Sequence, residues 1–303
     1  MPINLTILGS GSAVPILGRG VTSQHLNINE RRILIDCGEG TQLQLRRFKV
    51  KFQRIQYIFI SHLHGDHFLG IFGLISSMSL LGRTNKLRIF GPEGLEEIVR
   101  HQFKLSQVYL SFDLEFTVVV CKEKELVFED NSIEIYAFPL KHRVKCHGFL
   151  FQEKLRPPKM NKDKIKEYSL SLEEILTARK GEDIVRESGT ILNTEVTHGI
   201  EKSASYAYCT DTRFVAKLPE WIEDASLLYH EATFTKAHTD RAKATGHSTA
   251  EDAAKIAKLA KVDQLILGHF SSRYKDTKPI LDEAKTVFDQ VTCVEDGDVY
   301  LVN

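Results

Sequence analysis

The 303-residue chain reads as an α/β protein: two sheets packed face to face, helices outside, and one inserted basic arm. Three observations carry this reading. Short β-branched and aromatic runs recur along the chain and alternate with helical stretches. Metal-binding residue types stand repeatedly just past the strand ends, so two facing sheets would deliver them to one edge. From Lys154 to Lys166 there are six basic residues and one acidic one, in a chain that as a whole carries 40 of each sign.

Composition bounds the rest. At 42% hydrophobic and 26% charged, the chain is ordinary globular material and buries a core without disulfide help. No segment approaches the roughly 18 apolar residues of a membrane span. Met1 to Leu5 leads into a strand and lacks a basic-then-apolar signal pattern. Five scattered cysteines with no C-x-x-C pair favour a reducing cytoplasm. Cys209 reads as a small core residue. A net charge of zero does not advertise a nucleic-acid binder, so any RNA must be met by a local basic patch.

In chain order, residues 3–8 form a strand ending in the turn Gly9-Ser10-Gly11-Ser12. The loop Pro15 to Gly20 follows. Its glycines flank Arg19, which either approaches a phosphate or sits on a plain surface turn. Residues 23–27 and 32–36 pair as strands, and a helix starts near Thr41. Asp36 either supports a metal cluster from behind or caps that helix. Residues 55–60 are a buried strand and the apolar run from Phe68 begins a buried helix. Strands are expected over 86–90, 112–120, 132–138 and 147–151, with an amphipathic helix over 93–103. The arm covers about 153–186 and contains a helix over 171–179 with a capping-box start at Ser171. It is either a solvated loop or a phosphate-binding surface. Strands over 204–209, 227–229 and 264–267, helices over 250–260 and 279–288, and two last strands near 291–294 and 299–302 complete the chain.

Between the 55–60 strand and the next helix stands Ser61-His62-Leu63-His64-Gly65-Asp66-His67. On an extended segment His62 and His64 point to one side, while Asp66 and His67 are adjacent at a helix start. Neutral imidazole and carboxylate are zinc ligands, and paired metals suit phosphate-ester hydrolysis. His142, Asp211 and His269 follow later strand exits. Five histidines and two carboxylates suffice for two metals, with Asp211 able to bridge them.

The Ser61–His67 run resembles the signature of the metallo-β-lactamase superfamily. Other segments resemble ribonuclease Z more closely: Leu8 to Ser12 with the Gly-Arg-Gly loop, Asp36 to Gln42, Thr210 to Arg213, His230 to Phe234, His247 to Thr249 and Gly268 to Tyr274. The resemblance covers nearly the whole chain, in order. It implies a four-layer αβ/βα sandwich, a single domain over 1–303 with the arm at 153–186 inserted. It also implies a zinc-dependent endoribonuclease that removes the 3′ trailer from precursor tRNA. Two Zn2+ per subunit would be held by His62, His64 and His142 and by Asp66, His67 and His269, with Asp211 shared; other divalent metals fit the same ligands. Asp66 would accept a proton from the attacking water, His247 would protonate the leaving oxygen, and Glu231 would orient His247. Read alone, His247 is a residue before a helix cap and Glu231 an exposed strand-end carboxylate.

Arg273 would contact a phosphate or stack in its loop. Lys159, Lys162 and Lys164 would grip tRNA from the arm, which lacks the family's Gly-Pro element. A cytoplasmic homodimer is implied. The runner-up is a metallo-phosphodiesterase acting on small or cyclic phosphodiesters. A di-iron redox relative would place Glu where His64 stands, and a non-catalytic RNA-binding relative would have degenerate ligands.

Overall fold

The computed structural model describes residues 3–154, 157–198 and 203–302. Leu155 and Arg156 of the basic stretch lie outside the described residues. The chain divides into two compact units, Met1–Gln152 with Ala204–Asn303, and Glu153–Ser203.

The larger unit holds two seven-stranded sheets. The first runs, in spatial order, Val299–Val302, Ile3–Gly9, Ser23–Ile28, Arg31–Cys37, Tyr57–Phe59, Leu87–Gly91 and Leu114–Val118. The second runs Val291–Cys293, Gln264–Gly268, Leu227–Glu231, Ser205–Cys209, Cys146–Glu153, Ile133–Leu140 and Glu125–Glu129. Period-two patterning explains the packing. Ile3, Leu5, Ile7, Ile33 and Ile35 of the first sheet join one core with Ile133, Ile135, Phe149, Phe151 and Tyr206 of the second. Phe59 stacks on Phe90 at 4.5 Å between centroids and meets Phe149 edge-on at 5.3 Å, joining the two inner faces. The opposite register, Leu34, Ile58 and Ile89, packs against helices Ile71–Leu80 and Leu95–Leu105 through Leu74, Met78, Val99 and Phe103. Helix Ala250–Leu259 covers the second sheet with its alanine-rich side. The result is the expected four layers.

Most expected elements stand within two residues of their expected ends. The strand Glu125–Glu129 was not anticipated; it is a half-exposed edge next to the charged run Lys122 to Glu125. The site strand is also shorter than expected and ends at Phe59. His62 therefore lies in a loop, and His64 is the extended N-cap of helix Gly65–Phe68. The two histidines converge through this turn, not through strand alternation. Gly38 and Gly70 let the acidic turn after Asp36 lie against that helix: a Cβ at Gly38 would collide with the Asp66 carbonyl, and one at Gly70 with the Gly38 carbonyl.

The second unit extends past the expected limit at 186 because a hairpin, Ile184–Arg186 with Gly189–Ile191, and a short helix, Asn193–Val196, belong to it. Its own small core gathers Leu170, Ala178, Ile184, Ile191 and Val196. Ser171 and Glu174 form the expected capping box of helix Leu172–Arg179, and Arg186 clamps Glu174 at 2.6 Å.

His25, 5% exposed on strand Ser23–Ile28, gives this fold a pH signature. Burial, with help from Arg32, lowers it to about 4. The unfolded chain therefore takes up the proton first as pH falls from about 6.5 to 4, and stability drops through that window. Integrated over the shift, the loss is about 3 kcal/mol. His25→Gln is expected to flatten this part of the denaturation-midpoint profile; an unchanged slope would refute the assignment.

Candidate metal centre

The parallel strands Ser205–Cys209, Leu227–Glu231 and Gln264–Gly268 end side by side, with Cys209 opposite His230 and Glu231 opposite Gly268. Their exits carry Asp211, Glu231 and His269 to the turn that holds His62 to His67. Asp36, Asp211 and His269 have φ values of 53°, 27° and 58°, conformations that L-residues avoid and that the surrounding structure must impose.

All seven expected ligands converge. One group joins His62, His64, His142 and Asp211, and another joins Asp66, His67 and His269, the donor atoms within each lying within 4.8 Å of one another. Asp211 faces both. Its Oδ1 is 3.2 Å from His67 Nε2 and 3.0 Å from His269 Nε2, while its Oδ2 is 3.6 Å from His62 Nε2 and 3.7 Å from His142 Nε2.

The residues fit a pair of divalent cations. His64 Nδ1 stands 3.1 Å from His62 Nε2 and 3.2 Å from His142 Nε2, and His67 Nε2 stands 3.4 Å from His269 Nε2. Donors each about 2.0–2.1 Å from a tetrahedral zinc stand roughly 3.3 Å apart. Burial lowers His62, His64 and His142, leaving them neutral as ligation requires. Burial opposes a charge on His67, but Asp211, Asp66 and Asp36 outweigh it and raise the ring well above its ordinary value. Three carboxylates pulling a proton onto a fully buried imidazole would favour a bound cation equally.

The outer ring nitrogens are held in turn. His67 Nδ1 meets Asp36 Oδ2 at 2.7 Å, His269 Nδ1 meets Thr233 Oγ1 at 2.9 Å, and His142 Nδ1 meets the Gly246 carbonyl at 2.9 Å. Asp36 also accepts from the Ser61 amide at 2.7 Å, from Ser61 Oγ at 2.8 Å and from the Tyr208 hydroxyl at 2.6 Å. It therefore supports the cluster and caps nothing: helix Thr41–Arg47 starts at Gly40 without a side-chain cap.

Glu231 is fully buried, not the exposed carboxylate that the residue alone would suggest. Its Oε1 accepts from the Thr212 amide and from His247 Nδ1, both at 2.9 Å. Its Oε2 accepts from the Thr233 hydroxyl at 2.6 Å. Burial works against a charge on His247, yet the Glu231 carboxylate outweighs it and raises the ring to about 9. The helix cap beside it is Thr249, boxed with Asp252, so His247 has no capping duty. Burial likewise opposes the Asp66 charge, while His67 and His269 hold the carboxyl far below the ordinary range.

A cavity of about 350 Å3 opens on this cluster, lined by His64, Asp66, His142, Asp211, His247 and His269 together with Ala13, Pro15, Leu69 and Arg143. Arg143, directly after His142, is a cation that the sequence does not single out. Arg19 lies over the Phe270 ring at 5.3 Å, and Arg273 stacks over Phe234 at 5.1 Å. In the second unit Lys159 and Lys162 are exposed, while Lys164 pairs with Glu167 at 2.8 Å. Cys209 is buried, and burial pushes its thiol up, as suits a core residue.

Facing sheets with outer helices and a His/Asp cluster at the strand exits define a metal-dependent hydrolase of the metallo-β-lactamase fold. The Bacillus subtilis metallo-β-lactamase fold protein YhfI shares this architecture at 18% identity, with a TM-score of 0.70 over 99% of this chain and 100% of that one. Residues 3–156 match the family model described as anti-Pycsar protein Apyc1. Human tRNase Z, short form, superposes with a TM-score of 0.73 and 29% identity over 99% of each chain. Ribonuclease Z of Bacteroides thetaiotaomicron is 42% identical over 99% of this chain and 95% of its own length. That of Cytophaga hutchinsonii is 44% identical over 100% and 97%. The chain belongs to the ribonuclease Z family.

Proposed function

We infer that this chain is the endoribonuclease that removes the 3′ trailer from precursor tRNA, leaving a 3′-hydroxyl on the tRNA. One observation carries the chemistry: His247, paired with the buried Glu231, stands beside Asp211, whose two oxygens face two separate sets of ring nitrogens.

Two Zn2+ would be held by His62, His64 and His142 and by Asp66, His67 and His269, with Asp211 between them. When bound, they supply Lewis acidity and bring the pKa of water towards neutrality. Asp66, ionised throughout the working pH range, accepts a proton from the attacking water as the water oxygen bonds to phosphorus. His247 carries a proton on Nε2, because Nδ1–H is committed to Glu231, and delivers it to the 3′-oxygen as the P–O3′ bond breaks. His247 could also complete a ligand set with Asp211 and His269. Its pairing with a buried carboxylate and its raised pKa favour the proton donor. Arg143, which lines the cavity, and Arg19 and Arg273 on neighbouring loops are candidate phosphate contacts, and Lys159, Lys162 and Lys164 are the proposed tRNA contacts of the basic arm.

Among the described residues no helix is long and apolar enough to cross a membrane. With five free cysteines, we place the enzyme in the cytoplasm, as a homodimer; a monomer mass by light scattering would sink the dimer. The same centre acting only on small or cyclic phosphodiesters is the competing reading.

Incubation of zinc-loaded protein with a 3′-extended precursor tRNA separates the two. Cleavage next to the discriminator nucleotide, abolished by EDTA and restored by zinc, is expected. The triple charge reversal of Lys159, Lys162 and Lys164 to Glu should raise KM and leave hydrolysis of a small phosphodiester unchanged. Hydrolysis of the small ester without tRNA cleavage would favour the competitor.

A further inference from the structure

Asp296 lies in the turn between the last two strands, more than twenty residues from every site residue discussed above, yet its one carboxylate gathers four donors. Its Oδ1 accepts from the Ser10 amide at 2.9 Å and from Ser10 Oγ at 2.8 Å. Its Oδ2 accepts from the Gly20 amide at 2.6 Å and from Gln44 Nε2 at 2.7 Å. Ser10 and Gly20 are the two feet of one loop. Gln44 Nε2 also reaches the Leu8 carbonyl at 2.7 Å, tying the loop to helix Thr41–Arg47.

Near these feet the loop is also tied to the segment after His269: the Phe270 amide donates to the Ser10 carbonyl at 3.0 Å, and Ser12 Oγ donates to the Phe270 carbonyl at 3.2 Å. The Gly11 amide meets the Gly20 carbonyl at 2.9 Å, and the Ser12 amide meets the Phe270 carbonyl at 3.1 Å. Residues 13–18 are exposed. One contact of this exposed stretch points inward: the Ala13 amide donates to Asp66 Oδ2 at 2.8 Å. Ala13 adopts φ 45°, a conformation costing of order 1 kcal/mol or more, so its direction must be imposed from outside the residue. The same Asp66 oxygen is 3.3 Å from His67 Nε2 and 3.5 Å from His269 Nε2. The amide thus holds the oxygen that faces the second ligand set.

We propose that Asp296 is a positioning residue for Asp66, acting through the Ser10–Gly20 loop: by pinning both feet it aims the Ala13 amide at Asp66 Oδ2 and fixes that carboxylate's orientation. The role given to Asp66 rests on the proposed function, but the contact itself does not. Loss of a partner standing behind a metal ligand commonly costs 10- to 100-fold in metal affinity or activity.

The test uses the whole 303-residue chain, loaded with zinc. Asp296→Ala removes all four acceptances; Asp296→Asn sets an NH2 against donors at one oxygen and leaves the other, so it is the milder variant should the alanine fail to fold. Two quantities are read: kcat and KM on precursor tRNA, and the EDTA concentration that halves bound zinc. Asp296→Asn is expected to lower kcat and the EDTA midpoint by about tenfold with little change in KM, and Asp296→Ala by up to about 100-fold. In an Asp66→Ala background the same changes should leave the EDTA midpoint where Asp66→Ala alone put it, because effects through one residue do not add. A purely structural role would lower thermal stability and multiply the two defects. Wild-type values in Asp296→Asn, or an equal fold loss in the Asp66→Ala background, would overturn the proposal. Zinc retention reads the contact even if the wild-type protein cleaves no tRNA, so the two failures are distinguishable.

Discussion

Replacing Asp66 with alanine is expected to lower kcat on precursor tRNA by roughly 10³-fold or more, with KM little changed. Two roles meet at this carboxylate. Removing a proton acceptor from a hydrolytic step costs about 10²- to 10⁴-fold. Asp66 also stands within the ligand group of His67 and His269, so its loss weakens metal retention at the same time. Asp66→Asn separates the roles. The amide oxygen would still accept from the Ala13 amide and offer a ligand atom beside His67 and His269, but it cannot take a proton. The asparagine variant should therefore bind more zinc than the alanine variant and yet be about as inactive. Measured zinc content beside kcat checks this. A variant within tenfold of wild type would place the proton acceptor elsewhere.

That cluster was legible in the sequence to the extent that its residues were local or stood at strand exits. His62, His64, Asp66 and His67 declare themselves because a strand, a turn and a helix start compress four donors into six positions. His142, Asp211 and His269 were recoverable because parallel strands end together, so polar residues just past each end share one edge. Strands alternating with helices, and polar residues past the strand ends, were enough to predict two facing sheets; which side chains fill each layer, Ile3, Leu5 and Ile7 between the sheets and Leu8 and Leu34 under the helices, is seen only in the fold. Contacts that depend on three-dimensional closure left no local mark. Asp36 could equally have been a helix cap, and only its 2.7 Å contact to His67 decides. Thr233 joins Glu231 to His269 through one hydroxyl, which no spacing rule announces. Asp296 meets Ser10 across 286 residues. The hairpin at 184–191 was missed because strands of three residues carry no readable period.

The second large effect belongs to the pair Glu231 and His247. His247→Ala is expected to lower kcat by about 10²- to 10⁴-fold, the range for loss of a general acid. Glu231→Gln should fall nearly as far, because Glu231 acts through His247: it fixes Nδ1–H at 2.9 Å and supplies the charge that keeps the ring protonated. The sign of the pH dependence follows. In the proposed mechanism the protonated ring is the active form, and its pKa is raised to about 9, so activity carried by this donor is full below that value and lost as pH climbs through it. In Glu231→Gln the attractive charge is gone while burial still disfavours the cation, so the alkaline limb moves to lower pH. Divalent cations bound nearby would draw both limbs down and preserve their order. The double variant should be no worse than His247→Ala alone, since the two residues work as one unit. Full pH–kcat profiles of the four proteins give the answer. Independent, multiplying losses, or an alkaline limb that does not move in Glu231→Gln, would mean that Glu231 stabilises the fold and leaves the proton to another group.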